Sequence, residues 1–303
     1  MGFPVPSEAF ARIELQGLLE AGCRVSVSTF RPALPKAGEI LREHALAGVP
    51  VSHGSLKNWF RGLAAVFRHP RVASRVVSRT LAVTSTAPRQ CLTSLLLVPR
   101  ALGIALEVRG RNPDRLHLFW GHYPSLVALA LKELGCAIPV SMFLGAYDLV
   151  RRFPLSREMA RDADVTTHAR VNIPDICRFT GLAESRVHVI HRGIRVGVGP
   201  DSKRRSARPL VLAAERLVKA KRTRDVVRLF GAVRESVPEA ELVILGDGPE
   251  RRRLENMVSA LGLGGCVAMR GHVPHAEVRR EMERAHVLVS MTQSPGERLP
   301  NAV

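Results

Sequence analysis

The chain has 303 residues and a mass of 33.2 kDa, with 46% hydrophobic and 24% charged residues, a globular composition whose length suits two domains rather than one small module. No run reaches the roughly eighteen uninterrupted apolar residues of a spanning helix, because the richest stretches, 125–150 and 91–108, are cut by Lys132 and Glu133 and by Pro99 and Arg100. The formal net charge is +18 and only six of the 45 basic residues are lysine; arginine's planar fork bonds oxyanions in pairs, so the surplus points to phosphate recognition.

Residues 7–21 predict a helix, with Phe10, Ile13, Leu15, Leu18 and Leu19 at helical spacing, Ser7 as its cap and Gly22 as its stop. The N-terminus has neither a basic start nor an apolar h-region, so the sequence reads as cytosolic. From Gly22 the chain alternates β-branched runs with helical patterns, as a parallel sheet covered by helices requires. Strands are predicted at 24–30, 116–120, 138–144, 165–167 and 187–190. Between Glu43 and Glu107 there is no acid, yet Lys57, Arg61, Arg68, Arg71, Arg75, Arg79, Arg89 and Arg100 alternate with Trp59, Phe60, Val66, Phe67, Val72 and Val76. That is a basic amphipathic surface. An anionic membrane face and a plain solvated helix face explain it equally well. Nucleic acid ranks last, because the chain has two Trp, two Tyr and no zinc spacing or recognition motif.

The five cysteines, Cys23, Cys91, Cys136, Cys177 and Cys266, form no C-x-x-C pair and read as buried thiols acting as small hydrophobes. Asp162-Ala163-Asp164 spells D-x-D but reads better as a helix end running into a strand. His122, near a strand end, reads as structural. Glu283 and Glu297 are not an acid pair of the hydrolase type, because nothing brings two carboxylates across a sugar.

The polar run 200–208 predicts a linker, giving a first domain at 1–200, a linker at 201–208 and a second domain at 209–303. Beyond it the alternation is regular: strands at 210–214, 241–245, 267–270 and 287–290, helices at 225–236, 249–261 and 276–285. Ligands bind outside the carboxyl ends of strands in such sheets. Arg216 and Lys221 sit on the loop leaving the first of these strands, placed to hold a diphosphate. Gly246-Asp247-Gly248-Pro249-Glu250 follows the second, with Pro249 expected in the first helical turn. Taken alone, its glycines need mean no more than a tight turn. The loop from Gln293 to Asn301 leaves the last strand at the same edge, where Glu297 can accept hydrogen bonds from sugar hydroxyls and the bland alternative is a surface turn.

In order, Ala214-Glu215-Arg216-Leu217-Val218 with Lys221, Leu242 to Glu250, Arg270-Gly271-His272-Val273-Pro274, and Glu297 to Val303 resemble the four motifs of the retaining glycosyltransferases of family 4. Phe3-Pro4-Val5-Pro6-Ser7-Glu8-Ala9-Phe10 and Val189-Ile190-His191-Arg192-Gly193-Ile194 are similar to the opening and close of that family's first domain. The resemblance implies an α/β protein of GT-B fold with two facing Rossmann-like domains. The second would be incomplete, since the family's second glutamate would fall at 305, past Val303, and the strand before Phe3 is missing.

The resemblance further implies transfer of a hexose from a nucleotide-diphosphate sugar to a polysaccharide or lipid-linked acceptor, with retention and without metal or other cofactor. Arg216 and Lys221 would neutralise the diphosphate as the leaving group forms. Gly271 and His272 would lie by the nucleobase, and Glu297, Leu299, Pro300 and Asn301 would face the donor sugar. Ser7, Glu8, Tyr147 and Asp148 would line the first domain's side of the cleft. Gly145 stands where the family has a histidine. A 2-epimerase of the same fold, or a non-catalytic fragment, stays open as an alternative. The expected place is the cytoplasm, with an anionic membrane as a partner surface and no nucleic acid.

Overall fold

A computed structural model describes residues 2–5, 9–35, 37–43, 45–192 and 205–292. The chain divides into two compact units, Met1–Arg195 and Val196–Val303. Of the expected linker, residues 205–208 are described and 201–204 are not.

The first unit opens with α1 (Ala9–Glu20), β1 (Val27–Ser28), α2 (Ala37–Glu43) and β2 (Val51–Ser52). Three helices follow, α3 (Leu56–Arg68), α4 (Pro70–Thr84) and α5 (Pro88–Arg111). Then come β3 (Leu116–Leu118), α6 (Ser125–Glu133), β4 (Val140–Phe143), α7 (Ala146–Arg151), α8 (Pro154–Met159), β5 (Asp164–Thr167), α9 (Ile173–Thr180) and β6 (Val187–Val189). Strands β3-β4-β5-β6 pair in that order, all parallel. Leu102, Leu126, Leu129, Met142, Leu144 and Ile176 anchor the core between this sheet and its helices. The Asp162-Ala163-Asp164 segment is a one-turn helix end running into β5, as expected.

The strand expected at 24–30 is a correction. Only Val27–Ser28 is extended, and it pairs in parallel with Val51–Ser52 in a separate two-stranded sheet. The ladder stops because the Thr29 hydroxyl turns back to the Arg31 carbonyl at 2.8 Å and the Thr29 carbonyl accepts from Arg100 at 3.1 and 3.2 Å. Arg100 itself is fully buried, so it is no part of a basic surface. Its guanidinium also donates to the carbonyls of Ser52 at 3.1 Å and His53 at 3.4 Å and pairs with Glu107 at 3.4 Å. Burial works against its charge, and Glu107 supports it.

Helix α5 is also the one described helix long and apolar enough to cross a membrane by length and composition. Half of its most apolar window is buried in this unit, against α3, α4 and α6. Helix α3 starts where the Ser55 side chain accepts from the Asn58 backbone N–H at 3.4 Å. It rides so close on α5 that a Cβ at Gly62 would stand 2.3 Å from the Pro99 carbonyl oxygen. On α4, Arg75 and Arg79 are spoken for by Glu133 at 4.0 Å and Glu158 at 2.5 Å. The cysteines are a second correction: Cys23 is exposed and the other four are half-buried, so none is enclosed in a core.

The second unit runs β7 (Leu210–Ala214), α10 (Thr223–Ser236), β8 (Glu241–Leu245), α11 (Arg251–Ala260), β9 (Val267–Gly271), α12 (His275–Arg284) and β10 (Val287–Leu288). Its strands are parallel in the order β10-β7-β8-β9. Both faces are covered, as a parallel sheet requires. Leu242 and Ile244 meet Val226, Val227, Phe230 and Leu254 on one side, while Leu210, Leu212, Val243 and Leu245 meet Val278 and Met282 on the other. Pro249 is not in the first helical turn: the helix begins at Arg251, because Glu250 still donates its N–H to the Leu217 carbonyl at 3.0 Å and caps the helix instead.

Candidate functional site

The carboxyl ends of β7, β8, β9 and β10 form one edge of the second sheet, where ligands of open α/β sheets bind. Three loops there are laced by backbone bonds. Glu215 N–H donates to the Leu245 carbonyl at 3.0 Å, Leu217 N–H to Asp247 at 3.0 Å, and Gly246 N–H to Gly271 at 2.7 Å. The lacing demands the glycines. Gly246 has a φ of +127°, and a Cβ on it would stand 1.9 Å from the Glu215 carbonyl oxygen; one on Gly248 would be 2.4 Å from that of Leu217.

On this edge Arg216 is exposed and Lys221 half-buried, both on the β7 loop, while Gly271 closes β9 and the exposed His272 follows it. Four of the residues named from sequence therefore share one strand-end edge. Glu297, Leu299, Pro300 and Asn301 lie outside the described residues, as do Ser7 and Glu8. Glu215, which sequence reasoning did not single out, accepts from the Thr223 hydroxyl at 2.8 Å and the Ser290 hydroxyl at 3.3 Å. It joins the β7 loop to the start of α10 and the end of β10. Its signal was its place directly after a strand.

In the first unit, the corresponding strand ends carry aromatic rings. Phe119 stacks on Phe10 with centroids 5.9 Å apart, and Trp120 stands edge-on to Phe143 at 5.7 Å. The Arg192 guanidinium lies 3.6 Å from the Phe10 ring centre and 5.4 Å from that of Phe143, a cation–π arrangement. Arg192 was quoted from sequence only as part of a motif; its position just past β6 is what brings it here.

Tyr147 is about half exposed, but Asp148 is fully buried. Asp148 accepts from the N–H groups of His122 and Gly145, both at 3.1 Å, and stands 3.2 Å from His122 Nδ1. Asp148 is therefore a structural brace, which corrects its expected place lining a cleft, and His122 is structural as read. The glycine at 145 also has a cause: a Cβ there would meet the Phe143 ring at 2.9 Å and Trp120 at 3.4 Å, so no side chain fits unless those rings move.

His168 packs beside Phe143, buried, with its Nδ1 unpartnered. Burial first, and then the charges of Arg192 and His191, push its pKa down to about 4. Since an unfolded histidine titrates near 6.5, the unfolded chain binds more protons between those values, and stability falls as the pH drops from about 6.5 to 4. His168 alone accounts for on the order of 3 kcal/mol of that loss. Urea unfolding at pH 7 and pH 4 measures it; His168→Gln is expected to flatten the difference, and an equal difference in the variant contradicts the assignment. Among the described residues, no three His, Cys, Asp or Glu side chains stand close enough to hold a metal ion.

Residues 200–303 match the model of the family "Glycosyl transferases group 1". A stretch of 113 residues is 27% identical to a phosphatidylinositol N-acetylglucosaminyltransferase subunit of Arabidopsis thaliana, covering 37% of this chain and 25% of that protein. Among solved structures, Anabaena Alr3699/HepE in complex with UDP-glucose is similar over 98% of this chain and 73% of its own, with a TM-score of 0.64 and 14% identity. A glycosyltransferase from Rickettsia africae ESF-5 is similar over 96% and 71%, with a TM-score of 0.61 and 12% identity. The apo lipopolysaccharide outer core galactosyltransferase WaaB is similar over 66% of this chain and 56% of its own, with a TM-score of 0.52 and 19% identity. The chain thus spans a quarter of the curated relative and just over half of WaaB. The fold is the expected GT-B type.

Proposed function

We propose, for a chain whose residues 200–303 match the group 1 glycosyl transferase family, that it transfers a hexose from a nucleoside-diphosphate sugar to a saccharide or lipid-linked acceptor. In this reading the reaction retains configuration, needs no metal and takes place in the cytoplasm. The observation that carries it is the β7 loop: Arg216 and Lys221 sit at the carboxyl end of the first strand of that domain, where a diphosphate binds and two cations offset the charge gathering on the leaving group. The Anabaena relative holds UDP-glucose, which makes a uridine donor the first to try. Five free cysteines fit a reducing compartment.

In the mechanism, Arg216 and Lys221 bind the diphosphate and stabilise it as the glycosidic bond breaks. His272, exposed at the end of β9, is placed for the nucleobase. The donor's own phosphate can take the acceptor proton, so no side-chain base is required. Incubation with UDP-glucose, UDP-galactose or UDP-N-acetylglucosamine, followed by proton NMR, is expected to show donor consumption that EDTA does not change, with the transferred or hydrolysed sugar first appearing as the α-anomer. Epimerised free sugar would instead identify a 2-epimerase. No turnover and no UDP binding would identify a non-catalytic piece.

A further inference from the structure

Helix α3 carries three faces. Gly62, Ala65 and Val66 turn inward, with Gly62 and Ala65 buried, and Trp59 is half-buried. Leu56, Phe60, Leu63 and Phe67 follow one another at i, i+4, i+7 and i+11, a single stripe, yet their exposures are 78%, 69%, 42% and 81%. At about 100° per residue, this stripe stands roughly 130° from the buried face. Lys57, Arg61 and Arg68, all exposed, lie roughly 110° further round, along its other side.

A neighbouring helix also exposes leucines. Leu92 and Leu96 of α5, 62% and 64% exposed, fall on the same face as Pro99 and Gly103, which receive α3. Arg71, exposed at the start of α4, adds a charge just beyond Arg68. No acid occurs anywhere on α3 or α4.

We propose that this face of the first unit docks on an anionic lipid bilayer, with α3 lying in the plane of the interface, Leu56, Phe60, Leu63 and Phe67 inserted among the acyl chains, and Lys57, Arg61, Arg68 and Arg71 on the headgroups. A helix with a strong apolar stripe flanked by arginine and lysine is the form that such a surface takes. Charge complementarity selects the occupant: a bilayer rich in acidic headgroups accepts the stripe and the basic row together, whereas a second copy of this +18 chain would bring like charge against like. Arg75 and Arg79, held by Glu133 and Glu158, are outside the contact. Lipid binding stands apart from the transferase reading and can be measured with no donor present.

The test is co-sedimentation of the full chain with vesicles of phosphatidylglycerol and phosphatidylcholine at low salt. Binding is expected, with release near 1 M salt, where screening acts within about 3 Å, and with little affinity for pure phosphatidylcholine. Each basic residue contributes about fivefold to partitioning. Lys57→Gln, Arg61→Gln and Arg68→Gln together therefore weaken binding about a hundredfold. Phe60→Ser with Phe67→Ser weakens it by at least about tenfold. Arg75→Gln with Arg79→Gln changes it by less than about threefold. Binding indifferent to the phenylalanine pair overturns the proposal, as does equal binding to neutral vesicles. So does a dimer in sedimentation velocity that the same pair dissolves, because the occupant would then be a second copy.

Discussion

Alanine at both Arg216 and Lys221 is expected to lower turnover of a nucleoside-diphosphate sugar by at least about 10²–10³-fold, the scale seen when one preorganised charge is removed from a developing anion. The affinity for UDP alone is expected to fall at least about tenfold. Fold and loop path should survive, because the path is set by backbone bonds from Glu215 to Leu245, from Leu217 to Asp247 and from Glu250 to Leu217. Arg216→Lys should keep part of the activity, since it preserves charge while losing the bidentate fork. Steady-state kinetics with UDP titration checks this. Wild-type kcat/KM and UDP affinity in the double variant would remove the β7 loop from the chemistry.

Arg100→Met is expected to destabilise the first unit by about 3–5 kcal/mol, the range for removing one partner of a buried ion pair. The side chain is fully enclosed and donates to three carbonyls, of Thr29, Ser52 and His53, besides pairing with Glu107. Methionine fills much of the volume but takes both donors from the Thr29 carbonyl, a cost of about 1–3 kcal/mol, while the carbonyls of Ser52 and His53 keep the N–H groups of Thr29 and of Ser55 and Asn58. Arg100→Lys, with one charged tip instead of a fork, should fall between the two. Urea unfolding followed by circular dichroism measures it. A loss under about 1 kcal/mol would mean that water replaces the guanidinium.

The contrast between Arg100 and Arg216 shows what a sequence discloses. Arg216 follows a five-residue apolar strand, and a strand end in a parallel sheet is already an address. The second unit was legible for this reason: at β7 and β8 the predicted strands coincide with the observed ones, since runs buried on both faces leave no ambiguity of period. Arg100 sits in a helix among other arginines, and only the tertiary approach of β1 and β2 decides that it turns inward. Those strands are two residues each, too short for any alternation to register. Helix α3 was hard to read for another reason: apolar residues occupy two of its faces, so its hydrophobic pattern alone does not say which one meets the core. Asp148 looked like a cleft residue because its motif was matched by letters; its burial follows from the aromatic packing of His122 and Tyr147 with Phe153, which no local pattern encodes.

The backbone lacing of the β7, β8 and β9 loops has a consequence for how this edge can change over time. Main-chain groups are common to every residue, so a loop held by them keeps its course while the side chains along it are exchanged. Exposed positions such as Lys219 and Ala220, beside the two cations, form a writable layer, and Gly246 and Gly248 form the fixed frame beneath it. Donor preference in such a protein can drift, or be redirected, by altering the written layer alone, without relearning how to fold.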